Sequence, residues 1–201
     1  MLTVVGMGPA GLTLITPLAS EAIAQAQVLV GAKRHLAQFP AFTGEQRQLD
    51  ADIPQLLAWI TAHRQKNIVV LASGDPLFYG IGTRMVAHFG RENVHIVPGI
   101  SAVQYLCARA GVDMNEMWLT SSHGREVSFD ELARHRKVAM VTDSRCGPRD
   151  IAQQLTARGK GHRWMVIGEH LAMENEQIHW LRVSEVNADY GMNTVVILDE
   201  R

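Results

Sequence analysis

Short runs of apolar, largely β-branched residues recur along the chain and alternate with stretches whose apolar positions fall at helical spacing. Leu2–Gly6, residues 27–30, Ile68–Ala72 and Val94–Val97 read as buried strands. Thr16 followed by Pro17 predicts an N-cap and first helical residue, with the helix running to about residue 26. Asp52 and Pro54 predict the start of a second helix over 53–64. Ile81–Phe89 reads as a helix stopped by Gly90, and residues 101–110 as another stopped by Gly111. Such βα alternation predicts a mostly parallel sheet covered on both faces.

Past Gly111 the pattern changes. Residues 117–120, 137–142 and 163–167 are strand-like, and Pro148–Ala157 reads as a helix with a stop at Gly159. Residues 177–183 and 194–198 have strand character with no helix between them, which predicts a mixed sheet. The boundary is expected within 111–116, giving an α/β domain over 1–112 and a second over 113–201. No internal repeat or low-complexity tract is evident.

Bulk numbers narrow the function classes. The 201 residues are 47% hydrophobic, enough for one large domain or two small ones. A formal net charge of -1 gives no basic surplus for a nucleic-acid partner. Cys107 and Cys146 form no CxxC pattern and read as reduced thiols acting as small apolar filler. Met1-Leu2-Thr3-Val4-Val5 lacks a basic leader, and no apolar run has bilayer-spanning length, so a cytoplasmic protein is expected. The nine histidines lack HxH or HExxH spacing, and no metal site is expected.

Three predicted strands end in polar, turn-rich segments, the position at which open α/β sheets place ligands. They are Gly6-Met7-Gly8-Pro9-Ala10-Gly11, Ser73-Gly74-Asp75-Pro76 and Pro98-Gly99-Ile100-Ser101-Ala102. Gly6, Gly8 and Gly11 satisfy GxGxxG, but two details count against a nicotinamide cofactor. The second strand ends at Gly31-Ala32-Lys33 with no carboxylate for a ribose hydroxyl, and the helix starts at Pro17, well past Gly11. A tight turn that needs glycine competes with any ligand role. Asp75 suits a cation, a ribose hydroxyl or an Asx-turn, with the turn favoured. Ser101 at a helix start is by default an N-cap. Thr142-Asp143-Ser144 and Gly168-Glu169 stand at further strand ends.

Together, Gly-x-Gly-Pro, Ser-Gly-Asp-Pro and Pro-Gly-Ile-Ser-Ala after the first, third and fourth strands resemble the tetrapyrrole methylases, as does the final strand Met192-Asn193-Thr194-Val195-Val196-Ile197. That family includes methyltransferases of the porphyrin and corrin pathways, diphthine synthase and a ribosomal RNA 2′-O-methyltransferase. The segments Ser121-Ser122-His123-Gly124-Arg125 and Gly31-Ala32-Lys33-Arg34 are similar to the branch that methylates carbon 5 of precorrin-7. In the aerobic cobalamin pathway that module is typically fused to a methyltransferase and decarboxylase acting at carbon 15. The end of this chain at Arg201 points to a stand-alone form, with the carbon-15 enzyme as functional partner.

The resemblance implies two αβα domains of the class III methyltransferase type, with an S-adenosylmethionine cleft between them, S-adenosylhomocysteine as product and a homodimer. By motif position Pro9, Gly74, Asp75, Phe78, Ser101 and Ala102 would line the cofactor site, joined by Thr142 and Gly168. Met7, Gly8 and Tyr79 would face the corrinoid. His123 and Arg125 are first candidates for its acetate and propionate carboxylates, with Lys33 and Arg34 as weaker ones. No general base is assigned. Three other readings stand beside this one: an RNA methyltransferase of the same superfamily, a nicotinamide-dependent reductase and a non-enzymatic corrinoid carrier.

Overall fold

Five consecutive buried residues, Leu2–Gly6, form β1, an interior strand of an all-parallel sheet. The computed structural model describes residues 1–201. After β1 the first unit continues with α1 (Pro17–Ala24), β2 (Val28–Gly31), α2 (Lys33–Leu36), β3 (Glu45–Gln48), α3 (Ile53–Ala62), β4 (Ile68–Ala72), α4 (Ile81–Phe89) and β5 (Val94–Val97). The strand order is β3-β2-β4-β1-β5. Val4, Val30 and Val70 pack on Leu56 and Ile60 of α3 and on Met85 and Phe89 of α4. Val5, Leu29 and Leu71 point the other way, toward Ala19 and Ile23 of α1 and Leu36 of α2. Both faces are therefore covered, and continuous apolar runs are what such strands need.

The caps are where the sequence places them. Thr16 Oγ1 accepts the Ala19 amide at 3.1 Å, and Asp52 Oδ1 accepts the Gln55 amide at 2.9 Å. Two elements were not foreseen in this unit. β3 is Glu-Gln-Arg-Gln, polar and mostly exposed; it exists because β2 offers a free edge at Val28–Gly31. The four-residue α2 is too short to show periodicity.

The second unit comprises α5 (Ala102–Ala110), β6 (Trp118–Ser121), α6 (Phe129–Arg134), β7 (Lys137–Val141), α7 (Pro148–Ala157), β8 (Trp164–Glu169), β9 (Gln177–Arg182) and β10 (Asn193–Leu198). Its sheet runs β6-β7-β10-β8-β9 and is mixed: β6 and β7 are parallel, whereas β10 is antiparallel to β7 and β8. Met140, Ile167 and Val195 pack on Leu132 of α6 and on Ile151 and Leu155 of α7. Leu106 of α5 lies against Gly168, which alternation puts on the opposite face from Ile167.

The two compact units divide at Ser101/Ala102, not at 112/113. The reason is α5, which packs on β7 and β10 and so belongs with the sheet that follows it. Helix α6 was missed although Ser128-x-x-Glu131 is a capping signature; Ser128 Oγ accepts the Glu131 amide. Fully buried Arg163 closes the carboxyl end of α6. Its guanidinium donates to the carbonyls of Leu132, His135 and Arg136 at 2.7–2.9 Å and pairs with Asp199 at 2.7 Å. No helix is long and apolar enough to cross a membrane.

Candidate active site

In the first unit β4, β1 and β5 are adjacent, so the segments leaving their carboxyl ends meet. Gly8 and Gly74 form an isolated bridge: the Gly74 amide donates to the Gly8 carbonyl at 2.9 Å, and the Gly8 amide returns at 3.3 Å. A Cβ on Gly6 would lie 2.5 Å from Gly99 Cα and 2.6 Å from the Gly74 carbonyl oxygen. Only glycine permits that approach. Asp75 closes the junction. Its Oδ1 accepts the Leu77 amide at 2.8 Å, the expected Asx-turn, and its Oδ2 accepts the Gly99 amide at 3.2 Å. One carboxylate therefore sets its own turn and ties it to the next loop.

Beyond Asp75 the chain is tight and apolar. Leu77 is exposed, and half-buried Phe78 packs edge-to-face on Tyr79 at 5.1 Å. Tyr79 sits at φ 54°, a left-handed conformation rare for an aromatic residue, held where α4 begins. Close-approach backbone and apolar side chains together make a surface against which a flat, largely apolar group can lie. A short 3-10 turn, Leu12–Leu14, stands between these glycines and α1, which starts only at Pro17.

The other predicted residues of this unit differ in exposure. The Met7 side chain is 1% exposed and packs among Val5, Leu29 and Val97, so it anchors the loop; an odd position just past β1 keeps the face that Val5 shares with α1 and α2. Pro9 and Ser101 are buried beside the junction. Helix α5 begins at Ala102. Lys33 and Arg34 are exposed on α2, and Arg34 donates to Ser73 Oγ at 2.8 Å. Under that contact lies His35, 4% exposed, with Nε2 at 3.4 Å from Ser73 Oγ. Burial, then the Arg34 charge, lowers its pKa to about 4, so His35 is neutral near pH 7.

In the second unit the register Ser121↔Val141, Val141↔Thr194 and Thr194↔Gly168 puts the carboxyl ends of β6, β7 and β8 in one row. Thr142 Oγ1 lies 2.6 Å from Asn193 Oδ1 and 2.9 Å from its carbonyl. A Cβ on Gly168 would strike Leu106 and Leu171, which gives this glycine a packing reason of its own. Glu169 beside it accepts the Gly191 amide and faces His179 at 3.4 Å. Glu176 holds the β8–β9 loop: it accepts the Ala172 amide at 2.7 Å and Arg109 Nε at 2.8 Å. Those bonds outweigh its partial burial and keep its carboxyl below the usual range.

His123 and Arg125 are exposed on the β6–α6 loop. That loop is fixed by Asp143, whose Oδ2 accepts the Gly124 amide at 3.0 Å and whose Oδ1 accepts Arg145 and Cys146 amides at 2.9 and 3.3 Å. These amides, Gly124 first, lower the Asp143 pKa. The sequence shows Asp143 only as one polar residue at a strand end; its role depends on a neighbour nineteen residues away. Cys107 and Cys146 are free thiols, and burial pushes Cys107 up to about 11.

Two sheets of this order with glycine-built loops at strand ends define a methyltransferase fold, and the comparisons agree. A model of the Tetrapyrrole (Corrin/Porphyrin) Methylases matches residues 1–187, and the chain belongs to that family. It is 77% identical to the cobalt-precorrin-7 C(5)-methyltransferase of Salmonella typhimurium strain LT2 over 201 residues, the whole of both chains. The solved precorrin-6Y methylase of cobalamin biosynthesis from Archaeoglobus fulgidus superposes with a TM-score of 0.77 at 26% identity, covering 100% of this chain and 99% of that one. Uroporphyrin-III C-methyltransferase from Thermus thermophilus, solved with S-adenosyl homocysteine, shares the fold with a TM-score of 0.82 at 19% identity, covering 98% and 97% of the two chains.

Proposed function

We propose that this protein transfers a methyl group from S-adenosylmethionine to carbon 5 of cobalt-precorrin-7, giving cobalt-precorrin-8 in cobalamin biosynthesis. The observation that carries the reading is the full-length 77% identity to the Salmonella enzyme of that name. When bound, the cofactor supplies an electrophilic methyl group on a sulfonium. The chain supplies orientation. Pro9, Gly74, Asp75, Phe78, Ser101 and Ala102 are assigned to the cofactor, as are Thr142 and Gly168 by the family motif. Gly8, Tyr79, His123 and Arg125 are assigned to the corrinoid. Asp75 acts by holding the Gly99 loop on the Gly74 loop. The meso carbon of a reduced corrinoid is nucleophilic through conjugation, so placement and water exclusion do more than a strong base. A homodimer, a cytoplasmic location and a separate carbon-15 methyltransferase and decarboxylase complete the proposal.

The test is incubation of purified protein with S-adenosylmethionine carrying a labelled methyl group and cobalt-precorrin-7, read by mass spectrometry and NMR. One added methyl at carbon 5 is expected. Cofactor binding without transfer would redirect the search to other tetrapyrroles and to RNA. No cofactor binding would overturn the reading.

A further inference from the structure

Strand β10 enters the second sheet between the carboxyl ends of β7 and β8. Its first residue, Asn193, lies opposite Glu169 of β8 and touches Thr142, the residue that follows β7. A chain of hydrogen bonds crosses this point. The Gly191 amide donates to Glu169 Oε1, and Asn193 Nδ2 donates to the Gly191 carbonyl at 2.7 Å. Thr142 Oγ1 faces Asn193 Oδ1 at 2.6 Å and the Asn193 carbonyl at 2.9 Å.

Donor and acceptor roles along the chain follow from the groups themselves. A carbonyl only accepts, so Gly191 turns the NH2 of the Asn193 amide toward itself and the amide oxygen toward Thr142. Thr142 Oγ1 therefore meets two oxygens, neither with a proton to give. The hydroxyl must donate, and it has one proton. Whichever oxygen takes that proton, Thr142 Oγ1 keeps its lone pairs and has nothing left to give. The bonds all point toward the Glu169 carboxylate, so each polarises the next and makes the half-buried Thr142 oxygen a better acceptor.

S-adenosylmethionine carries three kinds of donor. Its α-ammonium has a full charge, which calls for an ionised acceptor. Its ribose hydroxyls both give and accept, so a fixed acceptor selects nothing in them. The adenine 6-amino group is neutral and acts as a donor, and it matches an oxygen that only accepts.

We infer that Thr142 Oγ1 is a specificity-determining acceptor for the adenine 6-amino group of the cofactor, and that Asn193 is the positioning residue that fixes it in that role. The inference rests on the proposed use of S-adenosylmethionine and adds the group recognised and the residue behind it.

Calorimetry on the full chain tests it with two ligands: S-adenosylhomocysteine, and S-inosylhomocysteine, in which a carbonyl replaces the amine. The wild type should bind the adenine compound at least about tenfold more tightly, because the carbonyl of the other meets Thr142 oxygen to oxygen. Thr142→Val keeps the shape of the side chain and removes the oxygen. It should weaken the adenine compound about tenfold and leave the hypoxanthine compound within about twofold, so that the preference disappears. Thr142→Ser should restore the preference, since the hydroxyl returns. Asn193→Ala should lower it by a smaller factor, because the carbonyl of residue 193 still takes the Thr142 proton. An equal loss of both ligands in Thr142→Val would mark a purely structural role and overturn the inference, as would a preference that survives unchanged. An unchanged preference in Asn193→Ala would overturn the positioning role of Asn193. A wild type that binds both compounds equally well overturns the inference and leaves the proposed cofactor in place. A wild type that binds neither overturns both.

Discussion

The two units fix their strand-end loops by different means. In the first, backbone touches backbone: Gly6 and Gly99 approach each other and the Gly74 carbonyl so closely that a Cβ on either has no room. In the second, carboxylates take the groups that fix the loops: Asp143 accepts the Gly124 amide from the neighbouring loop, and Glu176 accepts Ala172 of its own loop and Arg109 of α5. The first device demands a residue type with no side chain, and it leaves a motif. The second is satisfied by an ordinary acidic residue whose partner is set by folding, and it leaves none. The first is also harder to mutate gently, because backbone cannot move aside.

The largest effect is expected where the second unit departs from loop-level anchoring. Arg163→Ala removes a fully buried guanidinium from three carbonyls and Asp199, and should cost about 3–5 kcal/mol in chemical denaturation. A loss below about 1 kcal/mol would mean that this ion pair does little for the fold. In the first unit Gly6→Ala should cost about 3 kcal/mol and abolish cofactor binding by calorimetry, since the new methyl meets the Gly99 and Gly74 backbones. Retained binding would show that the junction can open.

His35 gives the first unit a pH dependence of its own. Its folded pKa of about 4 lies below the ordinary 6.5, so the folded state resists a proton that the unfolded chain accepts. Stability from this group is fully present above pH 6.5 and is lost as pH falls toward 4, by up to about 3 kcal/mol. The lowered carboxyls of Asp143 and Glu176 lose their contributions further down, as they protonate. Urea midpoints at pH 7.5, 5.5 and 4.5 should fall for the wild type and flatten between the first two values in His35→Gln. A parallel fall in both proteins would remove His35 as the cause.

The smallest effect tests the one side-chain bond within the backbone-built junction. Asp75→Ala removes two amide acceptances, should cost about 1–2 kcal/mol and should weaken cofactor binding while the fold survives. Unchanged affinity in calorimetry would reduce Asp75 to a turn residue.

Legibility followed the same division. The βα alternation of the first unit was readable because strands buried on both faces must be continuous apolar runs, and Thr16 and Asp52 mark helix starts by local chemistry. The polar β3 carries no such run; only the free edge of β2 makes it a strand. The burial of the Met7 side chain was not legible, because a motif position says nothing of the face to which a side chain turns. Asp143, Glu176 and His35 were invisible as functional parts because their partners lie elsewhere in the chain.

The sequence by itself determined the α/β alternation, the mixed second sheet, the glycine loops and the family they mark. Each of these is written in local periodicity or in residue types that backbone geometry makes irreplaceable. The tertiary structure alone decided that β4 and β5 flank β1, so that three separate loops become one junction. It also assigned α5 to the second unit, and brought the amides of Gly124 and Arg145 onto the one carboxylate of Asp143. Strand order and long-range hydrogen bonds join residues far apart in the chain, and no local pattern records which of the possible pairings is realised.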